Sequence, residues 1–212
     1  MSPYLPTMPR WPRRKARWNH NIHYHRRVLD AVPEGGRVLD VGCGEGLLTR
    51  ELAAKASHVV GLDLDAASLD LARATTSAAN VAYVRADLMR APFELESFDA
   101  VVSVAALHHM GTEAGLTRMR DLVRPGGVIA VVGLASSTGP VDPLWDLGGA
   151  VWTRILKLTR TYWEHAAPKV WDMPDSYRQV RHIAERRLPG VRYRRLVLWR
   201  YVLIWRKPIS PS

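Results

Sequence analysis

The chain has 212 residues, 47% apolar and 24% charged, which suits one domain of ordinary size and excludes a disordered polypeptide. Its single cysteine, Cys43, excludes an intramolecular disulfide framework and a Cys-based structural zinc site. The formal charge of +10 sits at the two ends: residues 1–27 hold seven Lys/Arg and no acid, residues 178–207 hold ten against Glu185, and the stretch between carries 13 bases and 19 acids.

Such ends admit a polyanion partner. Arg outnumbers Lys 25 to 5 throughout, however, and the plainer reading is a solubilising surface set by compositional bias. Met1–Trp18 is rich in Pro and Arg and lacks the apolar stretch of a secretion signal. From Arg37 onward strands and helices alternate. Arg37–Val41 reads as a strand ending in glycines, and Gly46–Ala56 as a helix with Leu47, Leu48, Leu52 and Ala53 on one face. His58–Leu62 is a second strand, and Ala66–Ala74 a helix with Asp65 as its N-cap. Val81–Arg85 is a third strand, and Phe98–Ala105, apolar on both faces, a fourth. Thr112–Val123 keeps Leu116, Met119, Leu122 and Val123 in helical phase. Arg124–Gly127 reads as a turn and Val128–Leu134 as a fifth strand. Val191–Trp199 and Tyr201–Arg206, with almost no linker, predict an antiparallel hairpin on the sheet edge.

This order predicts an α/β fold: a doubly wound, mostly parallel sheet with helices on both faces. About fifty residues between the fifth strand and the hairpin exceed what that fold requires. Among them, Pro143–Trp163 has helical spacing in Leu144, Leu147, Val151, Ile155 and Leu158, and reads as a substrate lid. Asp142, Asp146 and Glu164 argue against laying that helix on a membrane. The longest apolar runs, Ala100–Leu107 and Val128–Ala135, are too short to span a bilayer, so a cytoplasmic protein is expected.

The sharpest chemical signal is VLDVGCGEG, with glycines at 42, 44 and 46 between a strand and a helix. Backbone approaches a ligand closely at such a loop. Leu47 stands where a dinucleotide fingerprint needs its third glycine, which disfavours a pyrophosphate ligand. Asp63 ends the second strand about twenty residues on, placed to accept from two ribose hydroxyls. Asp87, just after the third strand, is placed to accept from an adenine amino group. Three successive strand ends thus form one ligand-sized crevice.

These segments resemble the class I S-adenosylmethionine-dependent methyltransferases: VLDVGCGEG their first motif, GLDLD the ribose motif, RADL the adenine motif, FDAVVSVAALHHM the strand and loop beside the transferable methyl, and LVRPGGVIAVVG the fifth-strand motif. WNHNIHYH and LWRYVLIWRKP add a likeness to a bacterial small-molecule branch. The resemblance implies a Rossmann-like, seven-stranded sheet closed by the C-terminal antiparallel hairpin. It implies S-adenosyl-L-methionine as cofactor, S-adenosyl-L-homocysteine as product, and in-line methyl displacement onto O, N or C of a small metabolite. Asp40, Gly42, Cys43, Gly44 and Gly46 are expected to hold the methionine part, Asp63 and Leu64 the ribose, Asp87 and Leu88 the adenine, and Ala105 the wall beside the sulfonium. Tyr24 is expected to touch the cofactor carboxylate, and a general base to come from His108 or His109.

The expected organisation is an arm and cofactor lid over 1–30, a cofactor-binding core over 31–135, a helical insertion over 136–188 and the hairpin over 189–212. His20, His23 and His25 share no helical face and no carboxylate stands nearby to orient them, so no metal site is expected. A monomer or homodimer is expected. RNA methylation, resting on the basic ends, is the alternative substrate class. A cofactor-binding scaffold without methyl transfer, cyclase-like, is the alternative of a different kind.

Overall fold

The computed structural model describes residues 17–159, 161–162 and 173–209. The basic stretch 1–16 and Trp163, Glu164 and Trp171 therefore lie outside the described residues. In chain order the elements are β1 (Arg17–Trp18), α1 (His25–Leu29), β2 (Arg37–Val41), α2 (Leu47–Ala53), β3 (His58–Asp63), α3 (Ala66–Thr75), β4 (Val81–Arg85) and β5 (Phe98–Val104). They continue with α4 (Thr112–Leu122), β6 (Val123–Gly133), α5 (Asp142–Thr159), β7 (Thr161–Tyr162), α6 (Tyr177–Arg187), β8 (Arg192–Leu196) and β9 (Arg200–Arg206).

Seven strands form one sheet in the order β4-β3-β2-β5-β6-β9-β8. The first five are mutually parallel, while β9 runs antiparallel to both β6 and β8. The sheet is the expected Rossmann-like, doubly wound α/β arrangement, with the hairpin supplying its last two strands. Period-two alternation divides the core in two. Leu39, Val101, Ile129, Val131, Leu203 and Trp205 face one apolar cluster, with α4 and α6. Val38, Ala100, Val102, Ala130, Val132 and Val202 face the other, with Val28 of α1, Leu48 and Leu52 of α2 and Leu156 of α5.

Three local details depart from the sequence reading. The expected turn Arg124–Gly127 lies inside β6: Val123 pairs with Phe98 and Val128 with Ala100, so residues 124–127 bulge from the ladder. The hairpin turn is centred on Leu198 and Trp199, whose φ of 62° and 56° are left-handed, and β8 ends at Leu196. Strand pairing twisted by such a turn carries both residues against their own preference. Finally, the stretch between the fifth strand and the hairpin is not all addition. α6 opens on a capping box, in which Ser176 and Gln179 bond each other's backbone, and buries Tyr177, Val180 and Ala184 in the sheet's own core.

Candidate active site

β2 and β5 are neighbours in the sheet, yet the chain leaves them toward opposite edges, so their carboxyl ends flank a topological switch point. The glycine loop occupies it. Gly42 has a φ of +72°, and a Cβ there would collide with the Cβ of Ala106, on the loop after β5. Only glycine allows both the conformation and the approach. Gly44, also left-handed at +51°, has nothing within 4 Å of where its Cβ would stand. Its open side is thus a place where backbone can meet a ligand.

The strand ends are stitched together. The N–H groups of Gly42 and Cys43 both donate to the Leu62 carbonyl, at 2.8 and 3.0 Å. The Asp63 carboxylate accepts from the Gly44 N–H at 2.7 Å and from the Asp65 N–H at 2.9 Å, and its own carbonyl accepts from Ala86 N–H at 3.1 Å. Each Asp63 oxygen thus has one backbone donor and capacity for another. Asp87, half-buried, accepts from Met89 N–H at 3.0 Å. Leu88 is buried, whereas Leu64 is exposed. Asp40 lies beneath the loop, 1% exposed, where Thr49 donates its hydroxyl to the carboxylate at 2.7 Å. Burial raises its pKa to about 6. Cys43 is half-buried, and burial pushes its thiol well above the ordinary range, which leaves it inert.

On the other side of the switch point, Ala105 holds a left-handed φ of 59° and donates its N–H to Val132 at 2.8 Å. A non-glycine residue in that region is strained, a condition typical of functional loops. The next turn, Leu107–His109, presents the two histidines, with ring centroids 3.9 Å apart. His109 is exposed. His108 Nδ1 is buried without a hydrogen-bond partner. Burial first, then the charges of His109 and Arg200, lower the His108 pKa to about 4, so the ring is neutral at pH 7.

The N-terminal segment closes over the second core cluster. Trp18 donates to His23 Nδ1 at 3.2 Å, and His25 Nδ1 meets Glu51 at 2.8 Å. Tyr24 is buried, and its hydroxyl donates to the Val197 carbonyl at 2.6 Å, in the hairpin loop. That bond fastens the segment to the hairpin rather than to the glycine loop. The structure therefore draws Asp40, residues 42–46, Asp63, Asp87, Leu88, Ala105 and His108 around one sheet edge and leaves Tyr24 engaged elsewhere. Two supporting residues escaped the sequence reading: Thr49, which holds Asp40, and Ala106, which requires glycine at 42. Neither carries a local signal, because each acts through a contact made across the fold. No group of three or more metal-ligating side chains occurs among the described residues.

Comparison with known proteins agrees with this geometry. Residues 38–127, from β2 into the bulge of β6, match a family model described as a methyltransferase domain. An uncharacterized methyltransferase of Mycobacterium tuberculosis is 39% identical over 194 residues, 91% of this chain and 98% of that protein. The phthiotriol/phenolphthiotriol dimycocerosates methyltransferase 1 of Mycobacterium ulcerans is 34% identical over 137 residues, 62% of this chain and 50% of that one. Among solved structures, an S-adenosylmethionine-dependent methyltransferase from Mesorhizobium loti superposes with a TM-score of 0.60 at 19% identity. That match covers 87% of this chain and 96% of the other, a likeness of fold.

Proposed function

From the premise that this chain belongs to the class I S-adenosylmethionine-dependent methyltransferases, we propose that it binds that cofactor at the carboxyl edge of β2, β3 and β4 and methylates an oxygen of a small, apolar metabolite. The observation that carries the reading is the Asp63 carboxylate bonded to Gly44 N–H, which locks the ribose-facing acid to the open face of the glycine loop. The cofactor, when bound, supplies a sulfonium-activated methyl. The remaining requirement is alignment of the acceptor and exclusion of water.

In this reading Gly42–Gly46 offer backbone to the methionine part, and Asp40 with Thr49 props the loop from below. Asp63 takes the ribose hydroxyls, with Leu64 at its rim. Asp87 and Leu88 take the adenine. Ala105 lines the methyl side, and Cys43 acts only as a small residue of the loop. His108, neutral at pH 7, accepts a hydrogen bond from the acceptor's polar group, and His109 stands at the mouth. A ring with so low a pKa is a weak base, so its contribution is orientation more than proton removal. Tyr24 and α1 form a cover secured through Val197. The apolar character draws support from the Mycobacterium ulcerans relative, whose name specifies phthiotriol/phenolphthiotriol dimycocerosates, and the oxygen acceptor from a Mycolicibacterium smegmatis relative named a fatty-acid O-methyltransferase.

The test incubates the protein with cofactor labelled on its methyl group and, separately, a lipid-soluble extract, a polar metabolite extract, and unmodified tRNA and rRNA. Label recovered in an extractable apolar molecule, with S-adenosylhomocysteine released, is the expected result. Label in RNA, or cofactor binding with no release under any condition, would refute it.

A further inference from the structure

Two buried polar side-chain atoms have no hydrogen-bond partner among the described residues: His108 Nδ1 and the Tyr177 hydroxyl. The first stands on the acceptor side of the crevice, and the second belongs to the first residue of α6. The rest of Tyr177 is engaged. Its N–H donates to the Ser136 carbonyl at 3.4 Å, and its carbonyl accepts from the Tyr193 hydroxyl at 3.2 Å. The Arg195 guanidinium lies over its ring, 4.0 Å from the centroid, and the Tyr201 ring meets it edge-on with centroids 6.5 Å apart. Phenylalanine would keep all of these contacts. A buried hydroxyl without a bond costs stability, so one held at 6% exposure calls for a use outside the fold itself.

Register places both atoms at one edge of the sheet. β5 and β6 are parallel neighbours with Val104 opposite Val132, so the turn bearing His108 leaves the edge at which Gly133 ends β6. Just beyond Gly133, Ser136 holds Tyr177. Arg200, buried, stands at that edge too, because the next residue, Tyr201, pairs with Gly133. Its charge acts on both His108 and Tyr177. Its Nη2 and Nε donate to Asn21 Oδ1 at 2.7 and 3.0 Å, which brings the N-terminal cover to the same place. Its Nη1 donates to the Leu198 and Trp199 carbonyls. Burial, opposed by Arg195 and Arg200, pushes the Tyr177 phenol up to about 12, so at pH 7 it is an uncharged donor.

We infer that Tyr177 contacts the methyl acceptor: its hydroxyl donates to one oxygen of an uncharged head group while His108 Nδ1 accepts from a neighbouring hydroxyl of the same molecule. The inference deepens the proposed oxygen methylation and rests on it for the role of His108. Two uncharged groups, shut away from water, match a head that joins a hydroxyl to a carbonyl or a second hydroxyl. A carboxylate would be buried there without a charged bond, since the guanidinium nitrogens of Arg200 are directed at Asn21 and at backbone carbonyls. An acceptor with a single oxygen would leave one of the two atoms unpaired, and a site built for hydrogen bonds discriminates strongly against such a molecule.

Thermal unfolding of the free full chain gives the first readout. Tyr177→Phe should keep the parent's midpoint or raise it, by roughly 2–4 °C if the cost of the unbonded hydroxyl is recovered. Tyr193→Phe, which gives up a bonded hydroxyl, should lower it. A fall for Tyr177→Phe like that for Tyr193→Phe would mark a hydroxyl used by the fold and overturn the inference. Calorimetry on protein saturated with S-adenosylhomocysteine then compares monolaurin, lauryl alcohol and laurate, each below its micellar concentration. Monolaurin, whose head joins hydroxyls to an ester carbonyl, should bind on the order of tenfold more tightly than the other two, and Tyr177→Phe should erase most of that preference. No preference for monolaurin, tighter binding of laurate, or a preference unchanged in the variant overturns it. Binding of S-adenosylhomocysteine by the parent is titrated first. Its absence counts against the proposed activity, whereas the midpoint of Tyr177→Phe is read without cofactor and bears on this inference alone.

Discussion

Replacing Gly42 by alanine tests whether the switch point is built as described. Two costs follow from the geometry. Alanine must hold a φ of +72°, and a left-handed backbone costs a residue with a Cβ about 1–2 kcal/mol. Its methyl would also overlap the Cβ of Ala106, and overpacking of a tight site costs about 1–3 kcal/mol. Gly42→Ala should therefore lose roughly 2–5 kcal/mol, a large share of an ordinary domain's stability. The two costs separate in a cycle with Ala106→Gly, which removes the collision and leaves the dihedral strain. The double variant should recover about 1–3 kcal/mol relative to additivity. Urea unfolding followed by circular dichroism measures all four proteins, with the slopes compared to guard two-state behaviour. Calorimetric titration with S-adenosylmethionine should show weakened binding for Gly42→Ala and partial recovery in the double variant. A single variant within about 0.5 kcal/mol of the parent, or strict additivity, would refute the packing argument.

Asp63→Ala removes the acceptor of the Gly44 and Asp65 N–H groups along with the proposed ribose contact, and should weaken cofactor binding on the order of a hundredfold or more. Near-normal affinity by calorimetry would dismiss that role. His108→Ala should lower turnover with cofactor affinity unchanged, and because its pKa lies at about 4, turnover should show no His108 limb near pH 6.5. A limb there that disappears in the variant would contradict the burial argument. Asp40→Asn keeps an acceptor for Thr49 and removes a buried carboxylate whose pKa is raised from 3.8 to about 6. The native state binds the extra proton between those values, so Asp40 destabilises the parent when ionised, and this cost fades as pH falls through 6 toward 4. The variant should gain about 1–3 kcal/mol at pH 8 and lose that advantage by pH 4, as read from unfolding curves. Tyr24→Phe gives up the bond to Val197 and should cost about 1 kcal/mol of stability with little change in cofactor affinity. A large loss of affinity would return Tyr24 to the cofactor.

Local chemistry made much of this protein legible from its residues. The alternation of Val38, Leu39, Ala100, Val101 and Ile129 between two apolar clusters is a period-two signal that each strand carries within itself. Asp65 as an N-cap accepts from Ser68 N–H three residues away, a bond that sequence spacing already encodes. The strand-end positions of Gly42–Gly46, Asp63 and Asp87 followed from the same short-range pattern. Contacts between distant segments were decided by the tertiary structure alone. Ala106 makes glycine necessary at 42, Val197 claims the Tyr24 hydroxyl, and the buried setting of His108 makes its ring neutral. α5 is the clearest case, since its spacing predicted a helix but not its orientation. Periodicity says that an apolar face exists, and only the pairing of Asp142 with Arg195 and the close fit of Gly149 against Trp199 turn that face outward. Which side of a helix is buried depends on the surface it meets, and that surface is assembled from residues far away in the chain.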